Sequence, residues 1–165
     1  MNKRYTFILS VALCFISITG LLISCSEDSD CSMTARPFMV SYIYKYGANK
    51  SILLPDTLKS LTVKALETDS ILLNKGEFVH TFDSPLRYTK DTTALVLEYS
   101  EEVKDNDTIW ISHKNTSFFV SIECGYQMRQ SIEKVIGYTK HTLDSVSLRN
   151  NEANNYGKEN IKIIY

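Results

Sequence analysis

The sequence predicts an all-β protein: one small β-sandwich, immunoglobulin-like or similar, over residues 35–165. Three observations carry that expectation. Apolar and polar residues alternate with a period of two in short runs. Turn-forming clusters recur roughly every 8–12 residues, and no long stretch has helical spacing. Ten Tyr and seven Phe against six Gly and three Pro weight the composition towards strands.

The elements follow in order. Val40-Ser41-Tyr42-Ile43-Tyr44-Lys45-Tyr46 is a first strand with Val40, Tyr42, Tyr44 and Tyr46 on one face, ended by Gly47-Ala48-Asn49. Leu61, Val63 and Ala65 alternate with Thr62 and Lys64 in a second, half-buried strand. Ile71 to Leu73 is a short apolar run before a turn cluster at Asn74-Lys75-Gly76. Phe78 to Phe82 comes next, stopped by Asp83-Ser84-Pro85. Leu95, Leu97 and Tyr99 share a face opposite Ala94, Val96 and Glu98. Glu101 to Asp107 reads as a polar loop. Ile109-Trp110-Ile111 is a strand, and Lys114-Asn115-Thr116 is the expected hairpin turn. On the return, Phe118, Val120, Ile122 and Cys124 point the same way, which puts Cys124 on an apolar face. Gly125 to Thr142 fits two patterns. Met128, Ile132 and Val135 suit a helix, whereas Ile132, Lys134 and Ile136 suit a strand; the β-branched residues around Gly137 favour a strand and a turn. Val146 and Leu148 open another strand, closed by a loop from Asn150 to Gly157. Ile161 to Tyr165 is a final strand expected to pair in a sheet, because loose chain ends are usually polar.

Ahead of this domain, Lys3 and Arg4 precede a mostly apolar run from Thr6 to Ile23, the order of a secretory signal. The run ends in Leu22-Ile23-Ser24-Cys25, a lipobox: a branched apolar residue, a tolerated one, a small one, then cysteine. Residues 1–24 are therefore expected to be a lipoprotein signal peptide, Cys25 a lipidated N-terminus, and residues 25–34 a tether. The alternative is an uncleaved anchor. The run of 18 residues approaches spanning length but is diluted by Ser10, Ser17, Thr19 and Gly20. Acyl chains contribute about 0.8 kcal/mol per buried CH₂, so two or more hold a domain stably at a membrane. Ser26-Glu27-Asp28-Ser29-Asp30 is read as a solvated tether. As a calcium cage it lacks a Gly-turned loop.

Cleavage after Ser24 leaves 141 of the 165 residues, enough for one domain with a single core. It removes two of 18 basic residues and leaves 16 against 19 acidic, a net charge of −3. No basic field remains, so nucleic acid is not an expected partner.

Four cysteines are present. Cys14 goes with the signal and Cys25 goes to lipid, which leaves Cys31 and Cys124 as a disulfide pair in an oxidising compartment. The two stand 93 positions apart; the chain-entropy treatment gives roughly 4–5 kcal/mol for closing such a loop. Two free buried thiols are one competing reading and a reactive thiol or metal ligand the other, though no CxxC occurs and a lone Cys needs a basic neighbour to be reactive.

Signals for chemistry are sparse. No G-x-S-x-G elbow, P-loop or G-x-G-x-x-G occurs. His80, His113 and His141 lie far apart without a second His or Cys at ligand spacing, so no metal site and no cofactor is expected. Asp105-Asn106-Asp107 resembles the start of a calcium loop but lacks its Gly and its distant Glu. Tyr42, Tyr44 and Tyr46 fit either an aromatic binding face or ordinary sheet packing.

The lipobox, the early cysteine, Ser121-Ile122-Glu123-Cys124-Gly125, Leu143-Asp144-Ser145-Val146 and the closing Asn160-Ile161-Lys162-Ile163-Ile164-Tyr165 together resemble a family of Bacteroidetes lipoproteins defined only as a domain of unknown function. The resemblance implies a small, lipid-anchored β-domain in the cell envelope, with the family's two cysteines at Cys31 and Cys124, and it implies no catalytic residues. Lipoproteins of such bacteria often carry acidic residues after the lipidated cysteine as a surface-export signal, and Glu27 and Asp28 resemble that pattern. The expectation is an outer-membrane lipoprotein, surface-facing rather than periplasmic, with a non-catalytic binding or scaffolding role. Its partners are the membrane, through lipid on Cys25, and an envelope protein or glycan. A sheet edge, for example the C-terminal strand, would accept a partner strand. A glycan-binding or hydrolytic module and a structural subunit of a surface assembly are the alternatives.

Overall fold

A computed structural model of the chain describes residues 36–99 and 106–165. The expected signal peptide, Cys25, the acidic tether, Cys31 and residues 101–105 lie outside the described residues. Those described form ten strands and no helix, arranged as two sheets that pack face to face. The strands are β1 (Phe38–Tyr46), β2 (Leu53–Pro55), β3 (Leu58–Ala65), β4 (Ser70–Val79), β5 (Thr81–Pro85), β6 (Thr92–Glu98), β7 (Asp107–Ser121), β8 (Gly125–Tyr138), β9 (Ser145–Leu148) and β10 (Ile161–Ile164). The predicted all-β sandwich is what the chain forms.

One sheet has the order β2-β1-β10-β9, and the other β4-β3-β6-β7-β8. β5 shares an edge of β1 with β2: it pairs with Phe38–Tyr42, and β2 takes over at Tyr44–Tyr46. β1 and β10 run parallel, with Ser41 opposite Ile161 and Tyr44 opposite Ile164. β9 covers the other side of β10. The C-terminal strand is therefore interior, not the open edge the sequence suggested. Its backbone groups are already paired on both sides and cannot accept a partner strand.

The core lies between the sheets. Met39, Ile43, Ile161 and Ile163 of the first sheet meet Leu61, Val63, Leu95, Leu97, Ile109, Ile111 and Ile132 of the second, all but fully buried. Each contributes roughly 1.5–3 kcal/mol by leaving water. The period-two faces of β3 and β6 are as read. In β1 the tyrosines do share a face, but the core takes the other one, through Met39, Ser41 and Ile43. Tyr42 and Tyr44 reach across to the loop before β10, donating to the Gly157 carbonyl (3.1 Å) and the Glu159 carboxylate (3.2 Å).

Four expected turns or stops fall elsewhere. Asp83-Ser84-Pro85 belongs to β5, paired with Phe38–Val40. Asn74-Lys75-Gly76 lies inside β4, where the ladder with β3 shifts register. Lys75 has a positive φ of 45°, and its amide donates to Thr62 Oγ1 (3.0 Å). A bulge inserted in a continuous strand carries the same Asn-Gly composition as a turn, so local pattern does not separate them. Lys114-Asn115-Thr116 is likewise mid-strand in β7. The hairpin turns later, through Ile122-Glu123-Cys124 into Gly125, whose φ of 67° suits glycine. Cys124 thus sits in the turn and not on a buried strand face. Gly125–Tyr138 is a single strand; Gly137 pairs with Trp110 instead of turning the chain.

The largest departure is Asp107. Read as a loop residue, it opens β7 fully buried. Its carboxylate accepts hydrogen bonds from the Tyr99 hydroxyl (3.0 Å), the Thr139 hydroxyl (2.7 Å) and the amides of His141 (2.9 Å), Thr142 (2.8 Å) and Leu143 (3.0 Å). Burial alone would raise its pKa, but these donors outweigh burial and hold it below the ordinary 3.8. A group depressed on folding contributes stability that is complete above its unfolded pKa and lost as pH falls through the native one. Asp107→Ala strands two hydroxyls and three amides. We expect it to cost about 3–5 kcal/mol. In urea titrations, the wild type should lose part of its stability as pH drops below about 4, while Asp107→Ala should lose less over that range.

Candidate functional site

The inner face of the β7–β8 hairpin changes character along its length. At the core end it presents Ile109 and Ile111, then His113 opposite Ile132, Asn115 opposite Gln130, Ser117 opposite Met128, and Phe119 opposite Tyr126. One strand face thus runs from apolar core, through a buried polar layer, to an exposed apolar tip. β6 pairs with β7 only as far as Ser112. Beyond that point the 151–153 segment still lines the outer side of β8 as far as Gln130, and past Gln130 the hairpin continues as a two-stranded arm.

The polar layer fastens the 86–91 segment, which links β5 to β6, against this arm. Asn115 Nδ2 donates to the carbonyls of Arg87 (2.9 Å), Tyr88 (3.3 Å) and Lys90 (3.0 Å). Gln130 Nε2 donates to Asn115 Oδ1 (2.8 Å) and the Leu86 carbonyl (3.3 Å). His113 Nε2 is hydrogen-bonded to Thr93 Oγ1 (2.8 Å), which also accepts from the Arg87 amide (3.0 Å). Burial pushes the His113 imidazole below its usual pKa, against the pull of Asn115, Asp91 and Glu133. Arg36 enters from the N-terminal side; it donates to the Leu86 carbonyl (2.6 Å), and its guanidinium lies 4.3 Å from the centre of the Tyr88 ring.

This bracing creates a concavity of about 380 Å³ lined by Pro37, Tyr88, Ser117, Tyr126, Gln127 and Met128. Its walls offer two aromatic rings, an amide, a hydroxyl and a thioether, with no charged side chain. Such a lining offers stacking and hydrogen bonding rather than ion pairing. A second hollow of about 250 Å³ includes Arg36, Arg87, Glu67 and Thr93. There Glu67 is already engaged by Arg87 and Lys90.

The residues singled out from sequence distribute as follows. His80 and His141 are exposed and His113 is buried in β7, so the three are not brought together. Among the described residues, no three His, Cys, Asp or Glu side chains are grouped to hold a metal. Tyr42 and Tyr44 are occupied with the 157–159 loop, and Lys162 covers the Tyr44 ring at 4.4 Å. They form no open aromatic face. Cys124 is half-buried in the hairpin turn; Cys31 and Cys25 lie outside the described residues. Asn115, Gln130, Tyr88 and Tyr126 were not foreseen as a set. Their only local signal is a polar interruption in an otherwise apolar strand face.

Residues 60–165 match a family of unknown function, DUF6452. The chain belongs to the DUF6452 family. The match begins inside β3 and takes in Asp107, the hairpin arm and β10. It omits β1, which nonetheless lies beside β10 in the first sheet, and β2. The DUF6452 segments quoted from sequence have structural work: the Leu143 amide donates to Asp107, and the Asp144 amide donates to the Ile164 carbonyl (2.9 Å). Asn160 is buried, accepting from the Val40 amide (2.9 Å) and donating to the Glu152 carbonyl (2.7 Å). No curated protein and no solved structure matches the chain.

Asn115→Ala removes the side chain that holds three carbonyls of the 86–91 segment. It is expected to cost about 1–3 kcal/mol. Amides 87–91 should exchange hydrogen faster by about tenfold or more, while those of β1 and β10 keep their protection. Uniformly faster exchange would show that the segment is not separately braced.

Proposed function

We propose that this DUF6452 protein is a lipid-anchored cell-envelope protein of the outer membrane with a non-catalytic binding or scaffolding role. Residues 1–24 act as the lipoprotein signal peptide, Cys25 carries the acyl chains, and Cys31 and Cys124 form a disulfide. The resemblance to Bacteroidetes lipoproteins, with Glu27 and Asp28 after the lipid site, favours the cell surface over the periplasm. The anchor reading is supported by the basic n-region, the apolar run and Leu22-Ile23-Ser24-Cys25. The disulfide is supported by Cys124 not being a free thiol.

The observation that carries the binding role is the braced concavity. Asn115, Gln130 and Arg36 hold its rim by hydrogen bonds, so little ordering entropy is lost when a ligand arrives. Tyr88 and Tyr126 give a second reading specific support: aromatic rings beside an amide and a hydroxyl suit a neutral glycan as well as an extended peptide.

The experiment uses intact cells. Mass spectrometry of the mature protein should find an acylated Cys25, and Cys25→Ala should release the chain from the membrane fraction. A photo-crosslinking residue at Ser117 should capture one envelope component, with about tenfold less at Tyr156, whose ring stands 89% exposed on the 150–160 loop. Equal capture at both positions overturns the binding site. Protease shaving of whole cells should cleave the protein if it faces outward. Reducing Cys31–Cys124 should lower stability by up to roughly 4–5 kcal/mol, read from the urea midpoint.

A further inference from the structure

The end of the β7–β8 arm is apolar and exposed to solvent. Ile122 is 90% exposed, Tyr126 75% and Phe119 54%, with Val120 beside them. The Phe119 and Tyr126 rings meet edge to face at 5.4 Å, so they form one patch. Between Phe118 and Tyr126 the only charged residue is Glu123. A lone two-stranded ribbon is marginal in water, and evolution of a solvent-facing tip has no reason to load it with large apolar groups.

Where this tip stands is constrained by the chain itself. Cys124 is in its turn. The proposed Cys31–Cys124 bond would tie the tip to a point six residues beyond the proposed lipid on Cys25. Six residues span at most about 20 Å when fully extended. With about 6 Å more for the disulfide itself, the covalent reach from Cys124 to the acylated residue is then roughly 26 Å at most.

We propose that the hairpin tip is a membrane-contacting element: Phe119, Ile122 and Tyr126 lie in the interface of the bilayer that holds the acyl chains. The inference rests on the lipid and disulfide of the proposed function. Aromatic residues with a polar end favour that interface, and an aliphatic group enters the acyl boundary. The acidic tether and Glu123 offer no attraction to anionic headgroups, so the contact is apolar and insensitive to salt. It gives the anchored domain a fixed attitude, with the concavity at Ser117 and Tyr126 opening close to the lipid surface. A second copy of the chain is the competing occupant.

The test uses the mature acylated protein in phosphatidylcholine vesicles, some with brominated acyl chains. Ile122→Trp and, independently, Phe119→Trp place an indole at the tip; Tyr156→Trp serves as the control, and the wild-type Trp110 signal is subtracted. Bromolipid should quench both tip indoles at least about twofold, at low and high salt alike, and leave the control nearly unchanged. Tip indoles open to aqueous iodide as freely as the control overturn the inference. So do tip indoles shielded from both quenchers, because protein then covers them. Intact mass and maleimide labelling of the same samples separate the two failures. An unmodified Cys25 or an open cysteine pair overturns the proposed anchoring and this inference together. Lipid and disulfide in place without bromine quenching overturn this inference alone.

Discussion

A single buried carboxylate closes the end of this sandwich. Asp107 starts β7, yet every donor it accepts from comes from another strand or its margin: Tyr99 just past β6, and Thr139, His141, Thr142 and Leu143 just past β8. The stretch after β8 has to leave one sheet and reach β9 in the other. Its amides point inward there with no strand to pair with, and buried orphan amides are expensive. Asp107 satisfies three of them at one point. An ionised group is retained in the interior because the donors it gathers more than replace the water it lost. Leu143 is thereby set into the core, and the ladder of β9 with β10 starts from a defined place.

The same logic, with weaker groups, builds the candidate site. Asn115 and Gln130 sit where the hairpin leaves the cover of β6. An apolar pair there would seal the core but leave the carbonyls of 86–90 unpaired. Amides do both, because each side chain carries donors and an acceptor. The consequence is a rim held without a large core beneath it, and a concavity that exists before any ligand does. Further out the face becomes apolar again, and there Phe119 and Tyr126 stand largely exposed.

The loop before β10 shows how an asparagine-rich segment acquires structure. Asn154 Oδ1 accepts from the amides of Tyr156 and Lys158, and Asn160 bridges Val40 to the 150–152 backbone. Short amide side chains mimic strand pairing where the backbone cannot supply it. This lets β10, only four residues long, sit between β1 and β9 in the interior of its sheet.

Much of the fold was legible because burial in a sheet imposes a period of two on the side chains. The faces of β3, β6 and β9 follow from that period alone, and the pairing of the final strand follows from its apolar content. The lengths of β4, β7 and β8 did not. Asn74-Lys75-Gly76 and Lys114-Asn115-Thr116 have turn composition, and only partners distant in sequence show that one is a bulge and the other a bracing point. Asp107 and Asn115 carry loop and turn composition for the same reason: most of their hydrogen-bond partners lie well over ten residues away, and no local pattern encodes them. By itself, then, the sequence determined the fold class and which residue faces turn inward, since those depend on neighbours two positions apart. Tertiary structure decided where the chain turns, which polar residues go inside and where a ligand has room, since those depend on groups that meet only once the sheets have closed.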